Sequence, residues 1–446
     1  MTDIVLVTVD SLRADHVGCY GYHRETTPTI DDLAAESRRF TNAFSHGCST
    51  RPSFPSILTS SYALGHGGFH QLSADRTTLA ESLSEAGYET AGLHSNLYLS
   101  ADFGYDRGFD RFYDSKSDPS LLARARQAIK THVDNDSQIY QFLQTAFNAT
   151  ERRAGVELGS AYVSADEMTD MALEWAEEMG DGPRFLWVHY MDVHHPYTPP
   201  AQYQRQFRDD SVDDERAIRL RRKMLEDPEG VTDEEFEAIV DLYDAEIAFM
   251  DAEVDRLLTG VRDTWDSEPV VAFTADHGEE FLDHGQFSHA ATFYDEVLHV
   301  PLVVDDGETG GKVDGMVGLL DLAPTLVDYA DAPTPAAFQG TSLAPGSDHD
   351  RNRVIAEWAD YDEDDRRFGL RTTDWKYVRM EDGEERLFDL TDDPDETRNV
   401  AGDYPDVRAD FAEQINDHAQ RVGTEAVTAE MDEQVAQRLR DLGYQE

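Results

Sequence analysis

Val270 to His289 reads VVAFTADHGEEFLDHGQFSH: a short apolar run breaks off at Asp276-His277-Gly278, and a second Asp-His-Gly follows at Asp283-His284-Gly285. The run has the composition of a buried strand. A carboxylate beside an imidazole at a strand's carboxyl end is how open α/β sheets build metal and ligand sites. The same tripeptide also serves as a plain turn, with Asp accepting backbone hydrogen bonds and Gly supplying positive φ. The first reading points to metal-dependent hydrolysis, and the rest of the chain must decide between the two.

Outward from that run the same alternation repeats. Ile4 to Val9 is a Val/Ile/Leu run of the kind buried on both faces, and it ends in Asp10-Ser11. Further strand-like runs stand at Thr90 to Leu93, Phe185 to Tyr190 and Val300 to Val304. Helical patterns lie between them at Thr29 to Glu36, Pro52 to Leu58, Leu79 to Ala86, Ala165 to Glu178 and Asp233 to Leu258. Strands alternating with helices predict a largely parallel sheet covered on both sides. Two stretches, about 115–160 and 203–245, read as helical insertions outside this alternation. Beyond residue 345 the runs Arg353 to Trp358, Phe368 to Arg371 and Lys376 to Met380, with a helix near Tyr404 to Arg421, predict a small antiparallel sheet with a terminal helix.

The charge balance bounds the setting. Thirty-eight Lys plus Arg stand against 91 Asp plus Glu, a formal net charge of −53 over 446 residues, and only five of the cations are Lys. Such self-repulsion is tolerable where salt shortens the Debye length to roughly 3 Å at molar concentration. The composition therefore predicts a halophilic protein of a salt-loaded cytoplasm. A field of this sign repels nucleic acid and anionic membrane surfaces, so neither is expected as a partner. Two cysteines, Cys19 and Cys48, make no disulfide framework, and no apolar stretch is long enough to span a bilayer. The N-terminus opens straight into a strand pattern, without the basic n-region of a signal peptide.

Several segments place polar groups where predicted strands or loops end. Asp10 follows the first strand, His194 follows FLWVHY, Asp276 and His277 follow VVAFT, and Thr50 sits in Gly47-Cys48-Ser49-Thr50-Arg51-Pro52-Ser53, where a loop enters a helix. Proline near a helix start has a preset φ and needs no donor, so Thr50 falls close to a helix N-terminus. Unsatisfied N–H groups there favour an anion, and Arg51 adds a planar fork for oxyanion atoms. A hydroxyl so placed is a nucleophile if a divalent cation lowers its pKa, and a plain N-cap otherwise.

VTVDSLRADHVGCYGY, STRPSFPSILTS, WVHYMDVHHPYTPP and FTADHGEEFLDHG, followed by LLDLAPTLVDYA, WKYVR and LFDLTDDPDETRNVA, together resemble the sulfatase family of the alkaline phosphatase superfamily, in order and over nearly the whole chain. The resemblance implies an α/β fold of the alkaline-phosphatase type: a mostly parallel central sheet flanked by helices in residues 1–345 and a smaller α+β subdomain in 346–446. It implies one divalent metal ion, Ca2+ or Mn2+/Zn2+, held by Asp10, Ser11, Thr50, Asp276 and His277. Thr50 falls at the nucleophile position with Arg51 beside it, Asn96 at a substrate-binding position, and His194 and His289 at the positions of the leaving-group acid. His195 and Asp192 orient their loop, and His284 stands as a frame residue leading to His289.

Three departures bear on the substrate. Ser11 replaces a second Asp, and mixed O and N donors suit manganese or zinc better than calcium, the commoner family metal. Thr50 stands where sulfatases carry the Cys or Ser that is oxidised to formylglycine, with Phe54 in place of the following Arg. The family's substrate Lys and His are replaced in His94-Ser95-Asn96-Leu97, and the later Lys by His289. The whole-chain resemblance implies a sulfuric ester hydrolase acting on a small-molecule or glycan sulfate ester. The unmodified Thr keeps open a phosphate mono- or diester or phosphonate ester hydrolase, or a phosphotransferase, and the lost cations keep open an inactive anion- or glycan-binding homologue.

Overall fold

A computed structural model describes residues 2–115, 162–289, 291–360, 365–380 and 382–422. The insertion expected at about 115–160 therefore lies almost wholly outside the described residues. The first strand, β1 (Ile4–Val9), is fully buried along its length, as a β-branched run with both faces covered must be. Beside it run β2 (Arg38–Phe44), β3 (Glu89–Leu93), β4 (Arg111–Tyr113), β5 (Arg184–Tyr190), β6 (Val270–Ala275), β9 (Leu302–Asp305) and β10 (Gly311–Gly318), with the short hairpin β7 (Glu280–Phe281) and β8 (Phe287–Ser288) outside the sheet.

The eight strands follow the order β10-β2-β9-β6-β1-β5-β3-β4. Pairs β1·β5, β1·β6, β3·β5, β3·β4 and β2·β10 are parallel, while β9 runs antiparallel to both β2 and β6. The sheet is thus mixed and mostly parallel, as expected except for β9. Strands β2 (RRFTNAF) and β10 (GKVDGMVG) escape a periodicity reading because their charge and glycine hide the strand pattern. β10 lies at the edge of the sheet, where such residues are tolerated.

Helices α1 (Pro28–Glu36), α2 (Thr50–Thr59), α3 (Leu79–Glu85), α4 (Ala165–Glu178), α5 (Ala201–Phe207), α6 (Asp214–Glu226), α7 (Asp233–Trp265), α8 (Asp295–Leu298) and α9 (Leu322–Tyr329) accompany this sheet. Helices α5 and α6 and the first third or so of α7 occupy the second expected insertion. The 33-residue α7 opens with a capping box, Thr232 and Glu235 exchanging hydrogen bonds with each other's backbone, which stops the helix fraying at its charged end.

A second, antiparallel sheet, β11 (Arg353–Ala359), β12 (Arg366–Thr372), β13 (Trp375–Arg379) and β14 (Glu385–Asp389), is followed by α10 (Pro405–Val422). One face buries Phe368, Leu370, Tyr377 and Leu387 with Phe411 and Ile415 of α10. Its other side meets Phe44 and Cys48, in the segment leading into α2, and Phe293 before α8. Glu357 N–H of β11 donates to His46 O at 2.9 Å, so the small sheet braces the approach to Thr50. Among the described residues no helix is long and apolar enough to cross a membrane.

Candidate active site

The carboxyl ends of β1, β3, β5 and β6 deliver Asp10, Asn96, His194 and the pair Asp276-His277 to one edge of the large sheet, and α2 brings Thr50 to the same place. Asp10 and Asp276 are wholly buried, as is His277, and Thr50 nearly so. Thr50 Oγ1 donates to Asp10 Oδ2 at 3.1 Å, and Asn96 Nδ2 lies 3.2 Å from that oxygen and 3.3 Å from Thr50 Oγ1. The hydroxyl of Ser11 donates to the other oxygen, Asp10 Oδ1, at 2.8 Å. The N–H groups of Ser11 and His277 both donate to Asp276 Oδ1, at 3.3 and 2.8 Å.

Local chain geometry enforces this convergence. Ser11 has φ +59°, a left-handed conformation that costs an L-residue free energy and persists only where neighbours fix it. Tyr243 of α7 does so, donating to Ser11 O at 2.7 Å while accepting the Arg13 N–H at 2.9 Å. Gly278 lets the Asp-His-Gly loop lie on α8: a Cβ there would sit 2.0 Å from Glu296 O. Helix α2 begins at Thr50 itself, with Ser49 in the cap position and making no side-chain cap hydrogen bond. Thr50 is therefore not an N-cap, and its hydroxyl is turned to Asp10.

Buried polar atoms normally find partners, since each orphan costs about 1–3 kcal/mol. Asp276 Oδ2, His277 Nε2 and His189 Nε2 are buried with no hydrogen-bond partner among the described residues. His277 Nε2 lies 3.6 Å from Asp276 Oδ2 and 3.7 Å from Asp10 Oδ1, and His189 Nε2 lies 3.7 Å from Asp10 Oδ2. These spacings are too long for hydrogen bonds. They suit donors that share a cation about 2.1 Å from each. Orphaned carboxylate and imidazole atoms facing one another are the chemistry of a divalent metal site, so the residues present fit the ion.

The charge distribution agrees. Burial opposes the anion of Asp10, yet His194, His189 and His277 hold its carboxyl well below the ordinary value. Burial, and then the Asp10 charge, push Asp276 well above it. Burial lowers His277 to about 4 and His194 to about 4, so both rings are neutral near pH 7. His289 goes the other way: burial disfavours its cation, but Glu279, 3.3 Å from its Nδ1, raises its pKa. Glu279 is itself wholly buried and accepts Tyr197 O–H at 3.2 Å.

His194, His195 and His289 also offer nitrogen atoms within 4.8 Å of one another. That cluster does not suit a second ion. Arg221 Nε–H donates to His195 Nδ1 at 3.0 Å, so the ring proton of a neutral His195 sits on Nε2, which faces Ser288 Oγ at 3.2 Å. His194 Nδ1 donates to His195 O at 2.7 Å, leaving Nε2 as an acceptor.

Other expected residues are placed as follows. The Arg51 guanidinium meets His70 and lies over the Tyr98 and Phe69 rings, with centroids 4.8 and 5.5 Å away. Asp192 lies against the start of α4, its carboxyl raised to about 7 by burial. His284 is turned to Glu296 at 3.5 Å and stacks on Tyr294, and Asp283 pairs with Arg13 at 2.8 Å, so the second Asp-His-Gly braces the loop. Cys48 is wholly buried among apolar side chains, and burial raises its thiol to about 12. His189 and Glu279 were not singled out in the sequence, the first because it is embedded in a strand run, the second because it is one of many acids.

The sulfatase family model matches residues 2–332 of the chain. The chain belongs to the sulfatase family. Residues 283–421 further match the model of the N-sulphoglucosamine sulphohydrolase C-terminal region. The chain is similar to the uncharacterized sulfatase YidJ of Escherichia coli (strain K12), 24% identical over 94% of this chain and 87% of that protein. Arylsulfatase K of Bos taurus is 30% identical over 41% of this chain and 37% of its own length. Among solved structures, the phosphonate monoester hydrolase of Agrobacterium radiobacter superimposes with a TM-score of 0.72 at 22% identity, covering 94% of this chain and 96% of the other. The protein is a sulfatase-family hydrolase with an alkaline-phosphatase-like fold. Members of this family typically hold a divalent metal, and Asp10, His189 and Asp276 form a cluster able to bind one.

Proposed function

We propose that the protein hydrolyses a sulfate ester, with unmodified Thr50 as nucleophile and one divalent ion held by Asp10, Asp276, His277 and the Thr50 oxygen. The observation that carries this is the Thr50 hydroxyl at a helix N-terminus, hydrogen-bonded to Asp10 and facing orphaned metal-type donors. When bound, the ion supplies Lewis-acid charge that lowers the pKa of a hydroxyl and offsets negative charge in the transition state.

The protein's own groups do the rest. Asp10 Oδ2 lies in line to take the Thr50 proton as Oγ1 attacks sulfur. Asn96 Nδ2 stands beside Oγ1, placed to donate to a nonbridging oxygen, and the first turn of α2 adds its dipole. Ser11 holds Asp10, and Arg51, next to Thr50, contributes positive charge. The bond from sulfur to the ester oxygen breaks, and the alcohol leaves with a proton from His289, whose pKa Glu279 raises. His194, kept neutral with Nε2 as acceptor, orients the water that attacks sulfur of the Thr50 ester; His289, now neutral, takes the water's proton, the bond from sulfur to Oγ1 breaks, and Oγ1 recovers its proton from Asp10 as sulfate leaves.

One observation favours a second reading, a phosphate or phosphonate ester as substrate. A threonine ester has no hemiacetal through which sulfate could be eliminated, and the buried, protonated Cys48 is a poor candidate for the oxidised residue. Turnover of aryl sulfate, aryl phosphate, phosphodiester and phosphonate ester should be compared in molar KCl with Mn2+ or Ca2+. Sulfate-ester turnover dominating supports the first reading, and hydrolysis confined to phosphorus esters replaces it with the second. Ion binding without turnover of any of them identifies an inactive binding homologue.

A further inference from the structure

Nε2 of His189 is a buried donor atom that the ligand set above leaves unused. His189 is the penultimate residue of β5, in register with Thr8 of β1, and its side chain is wholly buried. Its Nδ1 lies 3.0 Å from Thr8 Oγ1, which also accepts the Trp187 indole N–H at 3.0 Å. Thr8 Oγ1 accepts the indole N–H and either donates to Nδ1 or accepts from it, according to the ring tautomer; with an ion at Nε2 the ring hydrogen sits on Nδ1 and Thr8 accepts it. Such a hydrogen bond behind an imidazole is how proteins fix the tautomer and aim of a metal-binding histidine.

The two oxygens of Asp10 face different groups. Oδ1 takes the Ser11 hydroxyl and has His277 Nε2 at 3.7 Å. Oδ2 takes Thr50 and Asn96, and it is Oδ2 that His189 Nε2 approaches at 3.7 Å. His189 is thus on the side of the nucleophile. Donor atoms of Asp10, His189 and Asp276 all lie within 4.8 Å of one another, all buried.

We infer that His189, through Nε2, is a further ligand of the divalent ion. The inference rests on the metal reading above. The completed set, two carboxylates, two imidazoles and a threonine oxygen, selects an ion that accepts nitrogen, such as Mn2+, Co2+ or Zn2+, over Ca2+, which prefers an all-oxygen shell.

The full-length wild type, His189→Gln and His277→Gln are stripped with chelator in molar KCl, and binding of Zn2+, Co2+ and Ca2+ is measured by calorimetry, with the visible spectrum of the Co2+ forms. His189→Gln is expected to lose at least about tenfold in Zn2+ and Co2+ affinity, to lose less for Ca2+, and to shift the Co2+ bands. Wild-type Zn2+ affinity and an unchanged Co2+ spectrum in His189→Gln, with binding lost in His277→Gln, overturn this inference alone. A wild type that binds no divalent ion overturns the metal reading beneath it. Should His189→Gln fail to fold, pulsed EPR of Mn2+-loaded wild type carrying 15N-histidine decides: two coordinated imidazole nitrogens support the assignment, and one refutes it.

Discussion

Replacing Asp276 by Asn should make the ion-free protein more stable and the ion-loaded protein less so. Asp10 and Asp276 are both wholly buried with ligand atoms within 4.8 Å. Two like charges at that distance cost at least about 3.5 kcal/mol at an effective dielectric of about 20. Proton uptake by the Asp276 carboxyl, whose pKa burial and the Asp10 charge raise, offsets part of this, leaving about 2 kcal/mol. Asn keeps an oxygen for the Ser11 and His277 N–H groups that Asp276 Oδ1 now serves. With unfolding entropy near 2 cal/mol/K per residue, 2 kcal/mol raises the melting temperature by about 2 °C for a chain this long. Saturating ion at about a hundred times its Kd stabilises the wild type by about 2.7 kcal/mol, and the variant loses most of this, so the melting order reverses when ion is added. pH adds a second signature. The folded Asp276 carboxyl holds its proton more tightly than the unfolded one, so its contribution favours the fold in acid and is lost as pH rises through the folded pKa. Ion-free wild type should therefore lose more stability on going from acid to neutral pH than Asp276→Asn does. Scanning calorimetry of both proteins with chelator and with Mn2+, across pH, measures all of this. If Asp276→Asn melts below the wild type without ion, and the ion raises both equally, the reasoning fails.

Thr50→Ala should reduce turnover by about 10³-fold or more, while Thr50→Ser retains measurable activity; steady-state rates and calorimetric ion affinities of both variants check this. Glu279→Gln removes the charge that raises His289, whose protonated form is the acid, so the fall in kcat on the alkaline side should begin at lower pH, and an unmoved alkaline limb would remove His289 from that role. Cys48→Ala should keep its activity and lose about 1 kcal/mol of stability, because the thiol only fills space in the cluster around Phe44 and Phe293. A large loss of turnover with the fold intact would mark Cys48 as a modified nucleophile.

Much of this architecture is legible in the residues themselves. The central strands β1, β5 and β6 announce themselves as unbroken apolar runs, because burial on both faces leaves no other composition workable. β2 and β10 do not, since their polar and glycine residues make no strand period. Asp10, Thr50, Asp276 and His277 were each readable as polar groups at an element's end, Asn96 only through the family resemblance, and they converge. His189 was not, because it lies inside a strand, and its meaning depends on register: Thr8 pairs with His189 on one side and Thr274 on the other. This polar row across three central strands is the signal, and it exists only once the strands are paired. The match of Glu279 with His289 is likewise tertiary, since the nine positions between them, a short hairpin, say nothing of which acid turns inward.

The central claim is that Thr50, unmodified, takes the transferred group. The most direct test is accurate-mass peptide analysis of enzyme quenched in acid during turnover of a sulfate ester, covering the segment Gly47 to Pro52. The account predicts the sulfuryl adduct on Thr50 with Cys48 as a free thiol. A formylglycine at position 48, or the adduct on another residue while Thr50 stays bare, would contradict it.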